Sequence, residues 1–170
     1  MAKADDPLTL FDFREPVGVS AWSPVDDRVM GGISVSTLRH DPTGHAVFQG
    51  TVSLERNGGF ASARSSPGQR GMHGAEVCLV EIRGASKRFK LSLLTDDVFE
   101  ALNYQASFLP TGSDSQTTHL PISAFRATFR GREVADAPQL DSGRIRKVGL
   151  MIADRQAGPF ALDIRRISLA

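Results

Sequence analysis

The sequence predicts an all-β fold, a two-sheet antiparallel β-sandwich, and three observations carry that prediction. Apolar residues recur with period two, the spacing of half-buried strands. Gly, Pro, Asn and Asp cluster between the alternating runs, where they make turns. No long stretch sustains the 3.6-residue period of an amphipathic helix, so a βαβ fold is excluded and about ten short strands must cover one another as two sheets.

Taken along the chain, Leu8 to Phe13 and Ile33 to His40 are weak strand candidates, and His45 to Leu54 is a clear one. Ala46, Phe48, Val52 and Leu54 line one of its faces and mainly polar residues the other. Phe60 to Arg64 is weaker. Glu76 to Arg83 is apolar on both faces near its centre, as an inner strand requires. Phe89, Leu91 and Leu93 alternate with Lys90 and Ser92, and Tyr104, Ala106 and Phe108 with Gln105 and Ser107. Each pattern reads as an antiparallel strand with one wet face. Thr117 to Ile122 is another weak candidate, and a short helical turn is allowed around Ser123 to Arg126. Arg146 to Ile152 reads as a second inner strand, and Phe160, Leu162 and Ile164 close the series. Turns fall at Asp41-Pro42-Thr43-Gly44, Arg56-Asn57-Gly58-Gly59, Ser66-Pro67-Gly68, Arg83-Gly84-Ala85-Ser86 and Pro110-Thr111-Gly112-Ser113. Ala21 to Gly32 and Arg130 to Gly143 read as long loops, the places where a sandwich usually binds.

The 170 residues, 41% hydrophobic and 23% charged with a net charge of +1, suit one globular domain over 8–170 behind an extended or disordered N-terminus at 1–7. A chain of this length builds a core without a metal or disulfide staple. Its single cysteine, Cys78, sits in an apolar strand and reads as a small buried hydrophobe. No run approaches the ~18 apolar residues of a membrane span, and the first residues resemble neither a secretory signal nor a transit peptide. The expectation is a cytoplasmic protein, the bacterial form without a transit peptide.

Catalytic templates are missing. The sequence holds no G-x-S-x-G, H-E-x-x-H, P-loop or paired-cysteine motif, and His40, His45, His73 and His119 are scattered through turns and strand edges. The expectation is a non-enzyme without cofactor or metal.

Polar information concentrates in two places. Trp22-Ser23-Pro24-Val25-Asp26-Asp27-Arg28-Val29-Met30-Gly31-Gly32-Ile33-Ser34 holds the one tryptophan, two carboxylates, an arginine and a glycine pair. Asn57-Gly58-Gly59-Phe60-Ala61-Ser62-Ala63-Arg64 begins with a hairpin signal and ends in an arginine. One reading makes Trp22, Asp26, Asp27, Arg28, Asn57 and Arg64 a binding edge, with Trp22 as a stacking face. The other makes them a loop brace in which Trp22 plugs the sandwich and Arg64 pairs with Asp26 or Asp27. Adjacent aspartates on an extended chain point to opposite faces, so spacing does not make them an acid and base pair. Arginines crowd the C-terminal part, but Glu133, Asp136, Asp141, Asp154 and Asp163 interleave with them. Nucleic-acid binding, which wants a clean basic stripe with exposed aromatics, therefore ranks last among the readings.

The two clusters resemble the family named for complex I intermediate-associated protein 30 (CIA30). Its pattern of a tryptophan, an aspartate, Val-Met-Gly-Gly-x-Ser and then Asn-Gly-Gly-Phe-x-Ser-x-Arg is matched here by Trp22, Asp26 or Asp27, Val29 to Ser34, and Asn57 to Arg64. Similar blocks follow at Arg83-Gly84, Leu120 to Phe125, Phe129 to Arg132 and Asp154 to Phe160, so the likeness runs from about residue 8 to 169. The chain departs from the pattern at Gly84-Ala85-Ser86, where Gly-Asp-Gly is common, and lacks a tryptophan before Leu120-Pro121. The resemblance implies a galactose-binding-like jelly roll. It also implies a non-catalytic assembly or chaperone factor for NADH:ubiquinone oxidoreductase, with respiratory-complex subunits or assembly intermediates as protein partners. The alternative is a carbohydrate- or small-polar-ligand-binding module, which exposed aromatic residues would favour; one Trp and one Tyr supply few.

Overall fold

The structure, a computed structural model, describes residues 6–27, 31–84, 87–95, 102–112 and 114–170. Residues 1–5 of the expected N-terminal extension, and Arg28, lie outside the described residues. In chain order the strands are β1 (Leu8–Asp12), β2 (Trp22–Pro24), β3 (Val35–Asp41), β4 (His45–Val52), β5 (Ala61–Ser65), β6 (Val77–Gly84) and β7 (Phe89–Leu94). They continue with β8 (Asn103–Phe108), β9 (Gln116–Pro121), β10 (Arg126–Phe129), β11 (Arg132–Glu133), β12 (Lys147–Ile152) and β13 (Gly158–Leu169).

These strands form two antiparallel sheets. One has six strands, in the order β3-β4-β13-β6-β9 with β1 on the far half of β13; the other has seven, in the order β11-β10-β8-β7-β12-β5-β2. The inner strands expected from two-sided apolar sequence, β6 and β12, are flanked on both sides. Alternation sets the core. Phe48, Leu162, Ile164, Val80 and Ile82 of the first sheet meet Phe89, Leu91, Leu93, Val148 and Leu150 of the second, all at most 2% exposed. Phe48 touches Phe160 and Phe89, with ring centroids 5.0 and 6.3 Å apart, and so ties the sheets together with aromatic contacts.

Two elements differ from the sequence reading. β13 runs through Leu169 because its register shifts between Ile164 and Arg166; Arg165 is the extra residue of a bulge. Inward alternation then restarts at Ile167 and Leu169, both fully buried. The expected loop from Ala21 begins instead as β2, an edge strand on β5 with Trp22 opposite Ser65 and Pro24 opposite Ala63. Its proline is tolerated because an edge strand needs only half its hydrogen bonds. The permitted turn near Ser123 is one 3₁₀ turn at Ile122–Ala124.

Candidate functional site

After β2 the chain leaves the edge of the seven-stranded sheet and enters β3, the edge of the six-stranded one. Asp26 and Asp27 sit at this crossing, and neighbouring residues on an extended chain project to opposite sides. Asp26 reaches both sheets: its carboxylate accepts from Ser36 N at 3.0 Å and Ser36 Oγ at 2.6 Å on β3, and from Ser62 N at 3.1 Å on β5. Asp27, fully buried, accepts from Ser34 N at 2.9 Å, Ser34 Oγ at 2.5 Å, Gly59 N at 2.8 Å and Phe60 N at 3.4 Å. Ser34 Oγ in turn accepts from Ser53 N at 2.9 Å. The two carboxylates thus sew one sheet edge to the other through backbone donors that no ladder satisfies.

One glycine of each sequence cluster is explained by this cup. A Cβ on Gly32 would stand 2.4 Å from Asp27 Cγ, and one on Gly58 would stand 2.6 Å from Asp27 Oδ2. Burial opposes ionisation of Asp27, but the hydrogen bonds from Ser34, Gly59 and Phe60 outweigh it and hold the carboxyl below its ordinary range. Trp22 faces the core: its ring lies 5.0 Å from Phe11 and 5.9 Å from Phe13, it is 8% exposed, and its Nε1 is buried with no partner among the described residues. No stacking face is left for a ligand.

The expected pairing of Arg64 with Asp26 or Asp27 is not what the structure contains. Arg64 alternates with the inward Ala63 and Ser65, so its side chain lies on the outer face of the seven-stranded sheet, away from both carboxylates. It crosses Gly149, where a Cβ would meet Arg64 Cγ and Ser92 Cβ at 3.3 Å each. Half-buried there, it makes no hydrogen bond or ion pair with any described residue, and desolvation pushes its pKa down. Of the six candidate residues, Asp26 and Asp27 share the crossing, while Trp22 packs against Phe11 and Phe13. Arg64 is placed apart, and Arg28 and the Asn57 side chain lie outside the described residues. Ser34, Ser36 and Ser62 were not singled out as partners by the sequence reading, although the Gly-Gly-x-Ser and Phe-x-Ser spacings mark the first and third.

On the opposite sheet a shallow depression of about 320 Å³ is lined by His45, Glu81, Arg83, Gln116, Asp163 and Arg165 among others. Three of these side chains meet: Arg83 donates to Asp163 at 2.8 Å and His45 lies 3.5 Å from the same carboxylate. Cys78 is buried and its thiol pKa is pushed up to about 12 by desolvation, the opposite of an activated nucleophile. Among the described residues, no group of three or more His, Cys, Asp or Glu is placed to hold a metal, and no helix is long and apolar enough to cross a membrane.

Comparison with known proteins gives one family and one fold. The family model described as complex I intermediate-associated protein 30 (CIA30) matches residues 11–164. An uncharacterized protein, C9E9.15, of Schizosaccharomyces pombe is 31% identical over 180 residues, covering 94% of this chain and 82% of that one. Among solved structures, the family 11 carbohydrate-binding module of the cellulosomal cellulase Lic26A-Cel5E of Clostridium thermocellum superposes with a TM-score of 0.69 at 18% identity, over 96% of this chain and 94% of that one. The same family's module from that organism, in complex with a mixed-linked tetrasaccharide, gives 0.70 at 19% identity over the same shares. An agarase, AgWH50C, gives 0.63 at 12% identity over 96% of this chain and 24% of that one. At these identities the likeness is one of fold, a two-sheet β-sandwich.

Proposed function

The chain belongs to the complex I intermediate-associated protein 30 family, and from that premise we propose that it is a non-catalytic binding module that works through protein contacts as an assembly factor for a complex I-like respiratory enzyme. One observation carries the reading. Of the family-like motif residues that the structure describes, Asp26, Asp27, Gly32, Ser34, Gly58 and Ser62 are spent on closing the edge of the sandwich, whereas Arg64 stands on the outer face. These six residues therefore build a scaffold. Asp27 is fully buried and accepts from Ser34, Gly59 and Phe60, which closes it to a substrate. In this reading the protein acts in the cytoplasm, without cofactor, on subunits before they are complete.

A second reading, a carbohydrate-binding module, is favoured by the fold likeness to the family 11 modules. It is weakened by Trp22 and Tyr104, each at most 8% exposed and so closed to sugar stacking.

Affinity purification of the tagged chain from its native host, followed by mass spectrometry, separates the two readings, together with native-gel analysis of membranes from a deletion strain. Co-purifying respiratory-complex subunits and a fall in assembled NADH dehydrogenase are the expected results. Normal levels of that enzyme and no such subunits would overturn the assembly reading.

A further inference from the structure

Register places one polar row straight across the outer face of the seven-stranded sheet. Ser23 pairs with Arg64, Arg64 with Gly149, Gly149 with Ser92, Ser92 with Gln105, and Gln105 with Arg126. Directly paired residues point to the same face, so the row is continuous. At ~4.8 Å per strand it is about 24 Å long, the reach of an extended peptide of about seven residues.

The row has donors to spare and few acceptors. Arg64 carries five N–H groups in a planar fork and none is engaged by a described residue. Gln105 Nε2 already donates to Ser92 Oγ at 3.3 Å, and the Ser62 hydroxyl beside the row is committed to the Val25 carbonyl. Further charge on this face comes from Lys147 and from Lys90, the latter held by Asp154 at 3.3 Å. Burying a guanidinium without a partner costs stability, and a fold retains such a group when a ligand completes it. No side chain of the row is aromatic, which argues against a sugar platform.

We infer that this outer face is a docking site for an extended acidic segment of a protein partner, with one carboxylate of that segment seated bidentately on Arg64. A peptide carboxylate supplies the partner that the guanidinium lacks among the described residues. The inference rests on the assembly-factor reading and names the chemistry of the partner that reading requires.

The test is fluorescence polarisation on the full chain with a fluorescein-labelled Gly-Glu-Ser-Glu-Ser-Glu-Gly peptide. Its glutamine counterpart and tetragalacturonate serve as competitors. Saturable binding that weakens with salt is expected, with the glutamine peptide at least ~10-fold weaker, since a lost charge-assisted pair is worth that much. Arg64→Met should weaken binding at least ~10-fold while leaving the melting temperature unchanged or higher, because it removes an unpaired buried charge. Arg14→Met, in the turn that follows β1, should leave binding unchanged. The docking site is overturned if the wild-type chain does not bind the acidic peptide, if Arg64→Met or the glutamine peptide binds equally well, or if tetragalacturonate binds and the peptide does not. Should Arg64→Met still co-purify the same respiratory subunits as the wild-type chain, this face is wrong and the assembly reading stands. If the wild-type chain co-purifies none, the assembly reading fails whatever the peptide does.

Discussion

Replacing Asp27 by alanine should be among the most damaging single changes outside the hydrophobic core. The carboxylate is fully buried, and its removal strands the N–H groups of Ser34 and Gly59, which lie 2.9 and 2.8 Å away. The Ser34 hydroxyl loses a 2.5 Å bond but keeps the Ser53 carbonyl at 3.3 Å as a fallback, and the Phe60 N–H at 3.4 Å contributes little. A buried donor left unmet costs about 1–3 kcal/mol; at about 1.5 kcal/mol for each of two backbone donors and up to about 1 for the weakened hydroxyl, the sum is about 3–4 kcal/mol. That is a large part of the ~5–15 kcal/mol by which a domain is stable, and it corresponds to a fall of about 6–16 °C in melting temperature. Asp26→Ala should cost about 1–2 kcal/mol, because water can replace the partly exposed carboxylate. Asp27→Asn should recover only part of the loss, since its amide turns an NH2 toward the same donors. Urea unfolding followed by tryptophan fluorescence measures all three. A cost for Asp27→Ala below about 1 kcal/mol, or one smaller than that of Asp26→Ala, would refute the claim that this carboxylate holds the sheet edges together.

Gly32→Ala should destabilise by about 1–3 kcal/mol, because its Cβ would stand 2.4 Å from Asp27 Cγ; an unchanged urea midpoint would contradict that packing. Acid should unfold the protein between about pH 4 and pH 2. Asp12 and Asp41 are held down to about 2, by Arg14 and by Thr43 respectively, and Asp27 is lowered as well. Their folded values lie below the unfolded ~3.9, so the stability they supply is full above that pH and is lost as pH falls through the folded values. A circular dichroism titration with flat stability down to pH 2 would contradict this. Cys78 should resist Ellman's reagent in the native protein and react at once in denaturant, since its thiol is buried and its pKa is pushed up to about 12. Rapid native labelling would contradict the burial.

By itself the sequence determined the architecture. Period-two alternation in segments such as Phe89 to Leu93 and Phe160 to Ile164 is a local property, and it dictates which side chains must be covered wherever the strand lies. The clustering of Asp26, Asp27, the Gly31-Gly32 pair and Ser34 was equally visible as a special loop. Tertiary structure alone decided what those residues do. Asp27 meets Gly59 across 32 residues of chain, and Asp26 meets Ser62 across 36; neither approach is encoded by spacing, because it depends on which two strands end up as facing edges. Arg64 makes the point most sharply. Sequence suggests a partner for it among the nearby carboxylates, but the alternation of β5 sends Ser65 inward and Arg64 outward, and one residue of phase puts the guanidinium on the far face of the sheet. Strand pairing then laid it across Gly149, a position 85 residues away whose missing side chain gives the arginine its place.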